Sequence, residues 1–226
     1  MAVTFRCKDV LGPPDDISKK FAPGLLHAEG DLGLLRGTIR VSVVGTREAS
    51  ELGLRRARKL AKQLVTERVV VVSGLALGID YAAHTAAIEN GGRTIAVIAT
   101  PLDRAYPKEH ADLQARIGRE HLVVSQFGPG DRVGRWSFPA RNRTMALLTH
   151  ATVIVEAGDS SGTLHQGWEA IRLGRPLFFM RALLEDERLE WPRELMDYGA
   201  RPLAAVDELL REIPSIEVAA QGLDAL

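Results

Sequence analysis

The strongest constraint on the fold is an alternation of short, nearly all-apolar runs with longer stretches of helical spacing. Residues 69–72 read Val-Val-Val-Val and 94–98 read Thr-Ile-Ala-Val-Ile. Residues 151–155 read Ala-Thr-Val-Ile-Val and 177–180 read Leu-Phe-Phe-Met. Two further runs, 39–44 and 121–124, are β-branched or apolar and stop at Gly45 and Ser125. Between them, residues 48–66 place Leu52, Ala57, Leu60, Ala61 and Leu64 on one helical face. Residues 79–90, 139–149, 162–173 and 206–212 also read as helices. Strands apolar on both faces, alternating with amphipathic helices, belong to a parallel sheet covered on both sides. The expected class is therefore α/β, a three-layer parallel sheet with helices on both faces.

The 226 residues suffice for one self-sufficient core. Residues 1–36 lack clear periodicity and are punctuated by Pro13-Pro14, Pro23-Gly24 and Gly30. They read as an arm with one or two helical turns lying on the main domain, 37–213, and residues 214–226 read as a frayed tail. No apolar run is long enough to span a bilayer. No signal-peptide organisation is visible at the start. The single cysteine, Cys7, excludes an internal disulfide framework and a cysteine-rich zinc site, and suits a reducing cytoplasm. Lys+Arg and Asp+Glu are equal at 29 each. Zero net charge argues against a uniformly basic DNA coat but leaves room for a local basic pocket. Arginines cluster at Arg132, Arg135, Arg141 and Arg143, and basic residues again over Arg55, Arg56, Arg58, Lys59 and Lys62.

Parallel sheets bind ligands beyond the carboxyl ends of their strands, and those ends carry the chemistry here. Gly45-Thr46-Arg47 offers backbone N–H groups, a hydroxyl and a guanidinium fork suited to phosphate; the bland reading is a tight turn with a surface arginine. It is not a GxGxxG fingerprint, and no GxxxxGK[ST] occurs, which disfavours a dinucleotide dehydrogenase and excludes a P-loop. In the turn from Ser73-Gly74 to Gly78-Ile79-Asp80, glycines let the backbone approach a neighbour closely. Asp80 and His84 lie one helical turn apart, so the carboxylate is expected to orient the histidine. Phe138-Pro-Ala-Arg141-Asn142-Arg143 crowds donors into a helix start, where arginine opposes the dipole. That conflict favours an anion-binding role for the two arginines. Phe138 is either an aromatic platform for a base or a packing residue. Finally, Asp159-Ser-Ser161-Gly162-Thr163 leads a strand into a helix, either as a phosphate cradle or as a capped helix start. Trp168 and Trp191 are expected to pack rather than stack on bases. No nucleophile is recognisable, so no catalytic residue, metal site or cofactor is assigned.

These elements, in this order, resemble the DprA/Smf family of DNA-processing proteins. The match runs through Val-Val-Gly-Thr-Arg47, Ser73-Gly-Leu-Ala-Leu-Gly-Ile-Asp-Tyr-Ala-Ala-His84, Leu102-Asp-Arg-Ala-Tyr-Pro107, Phe138-Pro-Ala-Arg-Asn-Arg143, and Val155-Glu-Ala with Ser161-Gly-Thr-Leu164. The resemblance implies an extended Rossmann-like fold, a basic pocket for single-stranded DNA, loading of the RecA recombinase in natural transformation, and a homodimer. Carried over, the pocket comprises Gly45, Thr46, Arg47, Phe138, Arg141, Asn142, Arg143, Ser161, Gly162 and Thr163, with Ser73 and Gly74 beside it. The length leaves no room for the family's usual N-terminal helical domain, and no winged helix is visible. Leu164-His-Gln-Gly-Trp168 stands where the family usually has small and threonine or alanine residues. The final glycine turn also looks like that of the lysine decarboxylase-like nucleotide phosphoribohydrolases, for which Glu156 could supply the carboxylate. A sensor of a small nucleotide ligand is a further alternative for the same pocket.

Overall fold

The computed structural model describes residues 2–11, 20–159 and 161–213. Among these residues nine strands form one sheet: β1 Ala2–Arg6, β2 Leu25–Gly30, β3 Arg40–Gly45, β4 Val70–Ser73, β5 Thr94–Ile98, β6 Leu122–Ser125, β7 Ala151–Glu156, β8 Leu177–Met180 and β9 Arg201–Leu203. Their spatial order is β1-β2-β6-β5-β4-β3-β7-β8-β9. The seven strands from β6 to β9 are all parallel. The helices are α1 Lys8–Leu11, α2 Glu51–Thr66, α3 Ile79–Glu89, α4 Ala111–Glu120, α5 Ser137–Leu148, α6 Thr163–Arg172, α7 Trp191–Asp197 and α8 Val206–Leu210.

Both faces of the sheet are buried across β3 to β8, and the period of two in each strand sorts side chains between them. Val70 and Val72 belong to one cluster, with Val44, Val97, Ile154 and Phe179. Onto it pack Met145 and Leu148 of α5, Ala170 of α6, and Trp191 and Leu195 of α7. Val69 and Val71 face the opposite way, with Val41, Val43, Val153 and Phe178. There the partners are Ala57, Leu60 and Leu64 of α2, the alanines of α3, and Leu209 of α8. Three layers result, as the apolar runs predict.

The region read as an arm is built differently. Its two strands extend the sheet: β2 pairs antiparallel with β6, and β1 pairs antiparallel with β2. Only Leu26 and Ala28 of β2 are buried, so the apolar pattern in Leu25-Leu-His-Ala-Glu-Gly30 is two residues long. Pairing with the open edge of β6 decides the conformation, as tertiary context often does for strands. The stretch read as the tail, 214–226, lies outside the described residues, as does Ser160.

Strands β3 to β6 step outward in one direction from β3, while β7 is laid against its other side. The strand order therefore reverses between β3 and β7. In an open α/β sheet such a reversal leaves a crevice at the carboxyl ends of the two strands. The turns that leave β3 and β7 are those at Gly45 and at Ser161.

Candidate nucleic-acid interface

A cavity of about 500 Å³ opens at this reversal. Gly45, Thr46 and Arg47 line it from β3, and Ser161, Gly162 and Thr163 from the start of α6. Phe138, Arg141 and Asn142 line it from α5, and Arg135 from the segment before that helix. Each turn is locked by backbone contacts. The Thr46 N–H donates to the Glu156 carbonyl at 2.7 Å, tying the end of β3 to the end of β7. At Gly45 a β-carbon would strike the side chain of Ile79. Gly78, with φ of +73°, brings the next loop against the carbonyls of Thr46 and Arg47, where no side chain fits. Around Gly162, by contrast, nothing stands within 4 Å of where a β-carbon would be, so this turn faces open space. The Ser161 Oγ accepts from the Thr163 N–H at 3.2 Å.

Arg47 is exposed, and its guanidinium lies 5.1 Å from the centre of the Phe138 ring. Tyr106 packs against Phe138, its ring centre 5.4 Å from that of Phe138 and the planes tilted at 59°. Phe138 is half-buried in the cavity wall and belongs to none of the core clusters. A cation beside an aromatic face at the mouth of a cleft can meet a phosphate and a base together.

Arg141 is buried, at 6% exposure, beside the also buried Asn142. Its Nη1 donates to the Val97 carbonyl at 3.1 Å, whereas its Nε has no partner. Asp80, equally buried, accepts from the N–H groups of Gly74 and Ala76 at 3.1 and 3.3 Å. Burial pushes the Asp80 carboxyl above its ordinary range, against the pull of the Arg141 cation and those backbone donors. Burial pushes the Arg141 guanidinium down, with Asp80 opposing and Arg47 adding to the shift.

Three of the expected residues lie elsewhere. Arg143 does not line the cavity. It forms a forked ion pair with Glu169, Nε to Oε2 at 3.1 Å and Nη2 to Oε1 at 3.3 Å, and lies over the Phe21 ring. Positions two apart on a helix point about 200° apart, so Arg141 and Arg143 cannot share one face. Ser73 is fully buried and donates to the Val43 carbonyl at 2.6 Å. Gly74 sits behind Arg141, not in the main cavity. The expected pairing of Asp80 with His84 is absent. Asp80, in the first turn of α3, reaches back to its own loop, and His84 Nδ1 bonds instead to the Thr94 hydroxyl at 2.7 Å. Asp159 also leaves the glycine turn, accepting from the N–H groups of Glu190 and Trp191 at the start of α7. Trp191 packs, as expected, with 2% exposure and a bond from its indole N–H to the Ala157 carbonyl.

Glu156 is fixed as well. Its carboxylate accepts from the N–H and the hydroxyl of Ser50, the residue that caps α2. It does not line the cavity. Sequence reasoning gave no binding role to Gln166, Tyr106 and Met145, which do line it. Tyr106 stood in a quoted motif, and Gln166 lies three residues beyond Thr163, one helical turn on, where it faces the same way.

No helix among the described residues is long and apolar enough to cross a membrane. Comparison with known proteins agrees with this architecture. The chain is 42% identical over 200 residues to the DNA processing protein DprA of Streptococcus pneumoniae, covering 88% of this chain and 70% of that protein. Among other curated relatives the share of the relative's length falls to between 45% and 66%. The solved structure of the S. pneumoniae protein superposes with a TM-score of 0.83 at 40% identity, over 94% of this chain and 75% of that one. A structure describing the single-stranded DNA binding mode of DNA processing protein A from Helicobacter pylori gives a TM-score of 0.80 at 27% identity, over 95% and 98%. The model of the DNA recombination-mediator protein A family matches residues 14–214. With nearly the whole chain matched, in sequence and in fold, this protein belongs to the DNA recombination-mediator protein A family.

Proposed function

We propose that the protein binds single-stranded DNA in the cleft between β3 and β7, as a step in DNA processing and recombination, and does so without catalysis. The observation that carries this reading is the pairing of Arg47 with Phe138 at the mouth of a cavity whose other wall is the open Ser161-Gly162-Thr163 turn. A phosphate placed there meets a guanidinium and a helix N-terminus together. The single-stranded DNA binding described for the H. pylori relative supports it. The phosphoribohydrolase alternative is weakened because Glu156 is committed to Ser50.

Fluorescence anisotropy of a labelled oligonucleotide against salt tests the reading. With Arg47, Arg135 and Arg141 each meeting a phosphate, the slope of log K against log salt is about −2 for a single strand. Arg47→Ala lowers affinity and flattens that slope by roughly 0.7. Absence of binding at low salt, or an unchanged slope in the variant, overturns it. The resemblance also implies a homodimer and delivery of DNA to RecA. Light scattering of the purified chain and a RecA-loading assay on coated single strands address these separately.

A further inference from the structure

Trp136 stands immediately before α5 and is 60% exposed. Tryptophan is highly buried on average in folded chains, and Trp191 here is 2% exposed. The exposed indole is nevertheless held in place. Its ring meets that of Phe127, a buried residue just beyond β6, edge to face at 5.5 Å. Its backbone is already helical, and the next residue, Ser137, donates its N–H and its hydroxyl to the Gly134 carbonyl at 3.0 and 2.7 Å. A large aromatic surface is thus presented to solvent from a rigid mount.

The surroundings are cationic. Arg132 and Arg135 are both exposed, and among the described residues neither forms an ion pair. Asp131, the nearest carboxylate along the chain, accepts from the Gly128 N–H at 2.8 Å and so serves its own loop. Arg135, adjacent to Trp136, lines the cavity. A helical backbone turns about 100° per residue, so Trp136 and Phe138 point about 200° apart and cannot contact one base. Phe138 faces the cleft. Trp136 faces away from it, over the end of β6 where Phe127 lies. Aromatic side chains interleaved with cations along a surface are what a single strand uses outside any sequence-reading pocket.

Resting on the reading that the cleft binds single-stranded DNA, we propose that the strand leaves the cleft across the start of α5 and that a base outside the cleft stacks on Trp136. Arg135 holds the phosphate between the two positions. Every base has a π-face, so this foothold accepts any of them. The unpaired arginines beside the indole and its continuity with the cavity wall fit a polyanion rather than an apolar protein partner.

The test uses the full chain with oligo(dT) and an abasic deoxyribose-phosphate oligomer of equal length. Oligo(dT) quenches the tryptophan fluorescence of the parent. That quenching is lost in Trp136→Phe, which keeps Trp168 and Trp191 and, retaining a ring, binds within about threefold of the parent. Trp136→Ala binds oligo(dT) about tenfold more weakly, with the parent's slope of log K against log salt, since no phosphate contact is removed. It binds the abasic oligomer as the parent does. Unchanged oligo(dT) affinity in Trp136→Ala overturns the proposal and points to a protein partner for this surface, and an equal loss on the abasic strand overturns it too. So does fluorescence that oligo(dT) leaves unquenched in the parent, or quenching that persists in Trp136→Phe, and these decide the matter should Trp136→Ala fail to fold. Failure of the parent to bind oligo(dT) at low salt sinks the reading of the cleft itself, whereas full binding by Trp136→Ala leaves that reading standing.

Discussion

The guanidinium of Arg141 occupies the space in which any side chain at position 74 would begin. A β-carbon built on Gly74 falls within the Arg141 group, and the same Gly74 donates its N–H to Asp80 at 3.1 Å. Gly74 itself thus does not line the ligand cleft. It makes room for the buried cation that does. Gly74→Ala is expected to destabilise the fold by about 1–3 kcal/mol, the usual range for overpacking a filled site. Urea unfolding measures it. Because the two residues compete for one space, Gly74→Ala in an Arg141→Ala background costs clearly less than in the parent. Additive losses would contradict the contact.

Arg141 and Arg143 separate by function although they are neighbours in sequence. Arg143→Ala removes an ion pair with Glu169, which keeps its second partner Arg172 at 2.8 Å. The arginine is one-third exposed, so the expected loss of stability is small, about 0.5–1 kcal/mol. Oligonucleotide affinity stays within about twofold of the parent, since neutralising a charge outside the cleft removes no phosphate contact. Phe138→Ala, with its ring in the cavity wall, weakens binding by about 1–3 kcal/mol if a base stacks there. Anisotropy titrations on both variants at one salt concentration distinguish a cleft built from Arg47, Phe138 and Arg141 from one that also uses Arg143.

The sheet was legible because 69–72, 94–98, 151–155 and 177–180 are apolar but for Thr94 and Thr152, a pattern that strands buried on both faces need. Strand β2 was not legible, because Leu26 and Ala28 alone carry its pattern and the open edge of β6 does the rest. At the site, the residues whose role follows from the backbone were visible: Gly45, Thr46, Gly162 and Thr163 stand where strands end. The side chains were less so. Arg143 resembles Arg141 in sequence and differs by a rotation about the helix axis, which matters only once the neighbours of α5 are known. Gln166 lies beyond the turn that drew attention, and its burial beside the cavity is a property of its surroundings, which no motif records.

Glu156 provides a separate check on the non-catalytic reading. Its carboxylate takes the N–H and hydroxyl of Ser50, and Gly53 leaves no space for a β-carbon beside it. Glu156→Gln keeps an acceptor but loses the charge near the start of α2, so stability falls by about 1 kcal/mol. Oligonucleotide binding is expected to be unchanged. Release of free base from nucleoside monophosphates by the parent, lost in this variant, would restore the hydrolase alternative.

Acid lability is the last expectation, and it comes from the histidines under the sheet. His84 is wholly buried, and since the Thr94 hydroxyl donates to the Val71 carbonyl, His84 Nδ1–H must be the donor to Thr94. Burial pushes the His84 imidazole down to about 3, with His110, His121 and Arg141 adding to the shift. Burial, with Arg40 and Arg175, likewise pushes His150 down to about 4. The unfolded chain therefore takes up protons from about pH 6.5 downward that the folded chain refuses, and stability falls as pH falls through that window. Each group contributes a slope of about 1.4 kcal/mol per pH unit until its folded value is reached. Urea midpoints measured from about pH 7.5 to about pH 5 should decline accordingly. His84→Asn, which retains a donor toward Thr94 but does not titrate, is expected to be less stable at neutral pH and to show a shallower decline, since His150 and His121 still titrate. A variant with the parent's full slope would show that His84 does not titrate between the two states.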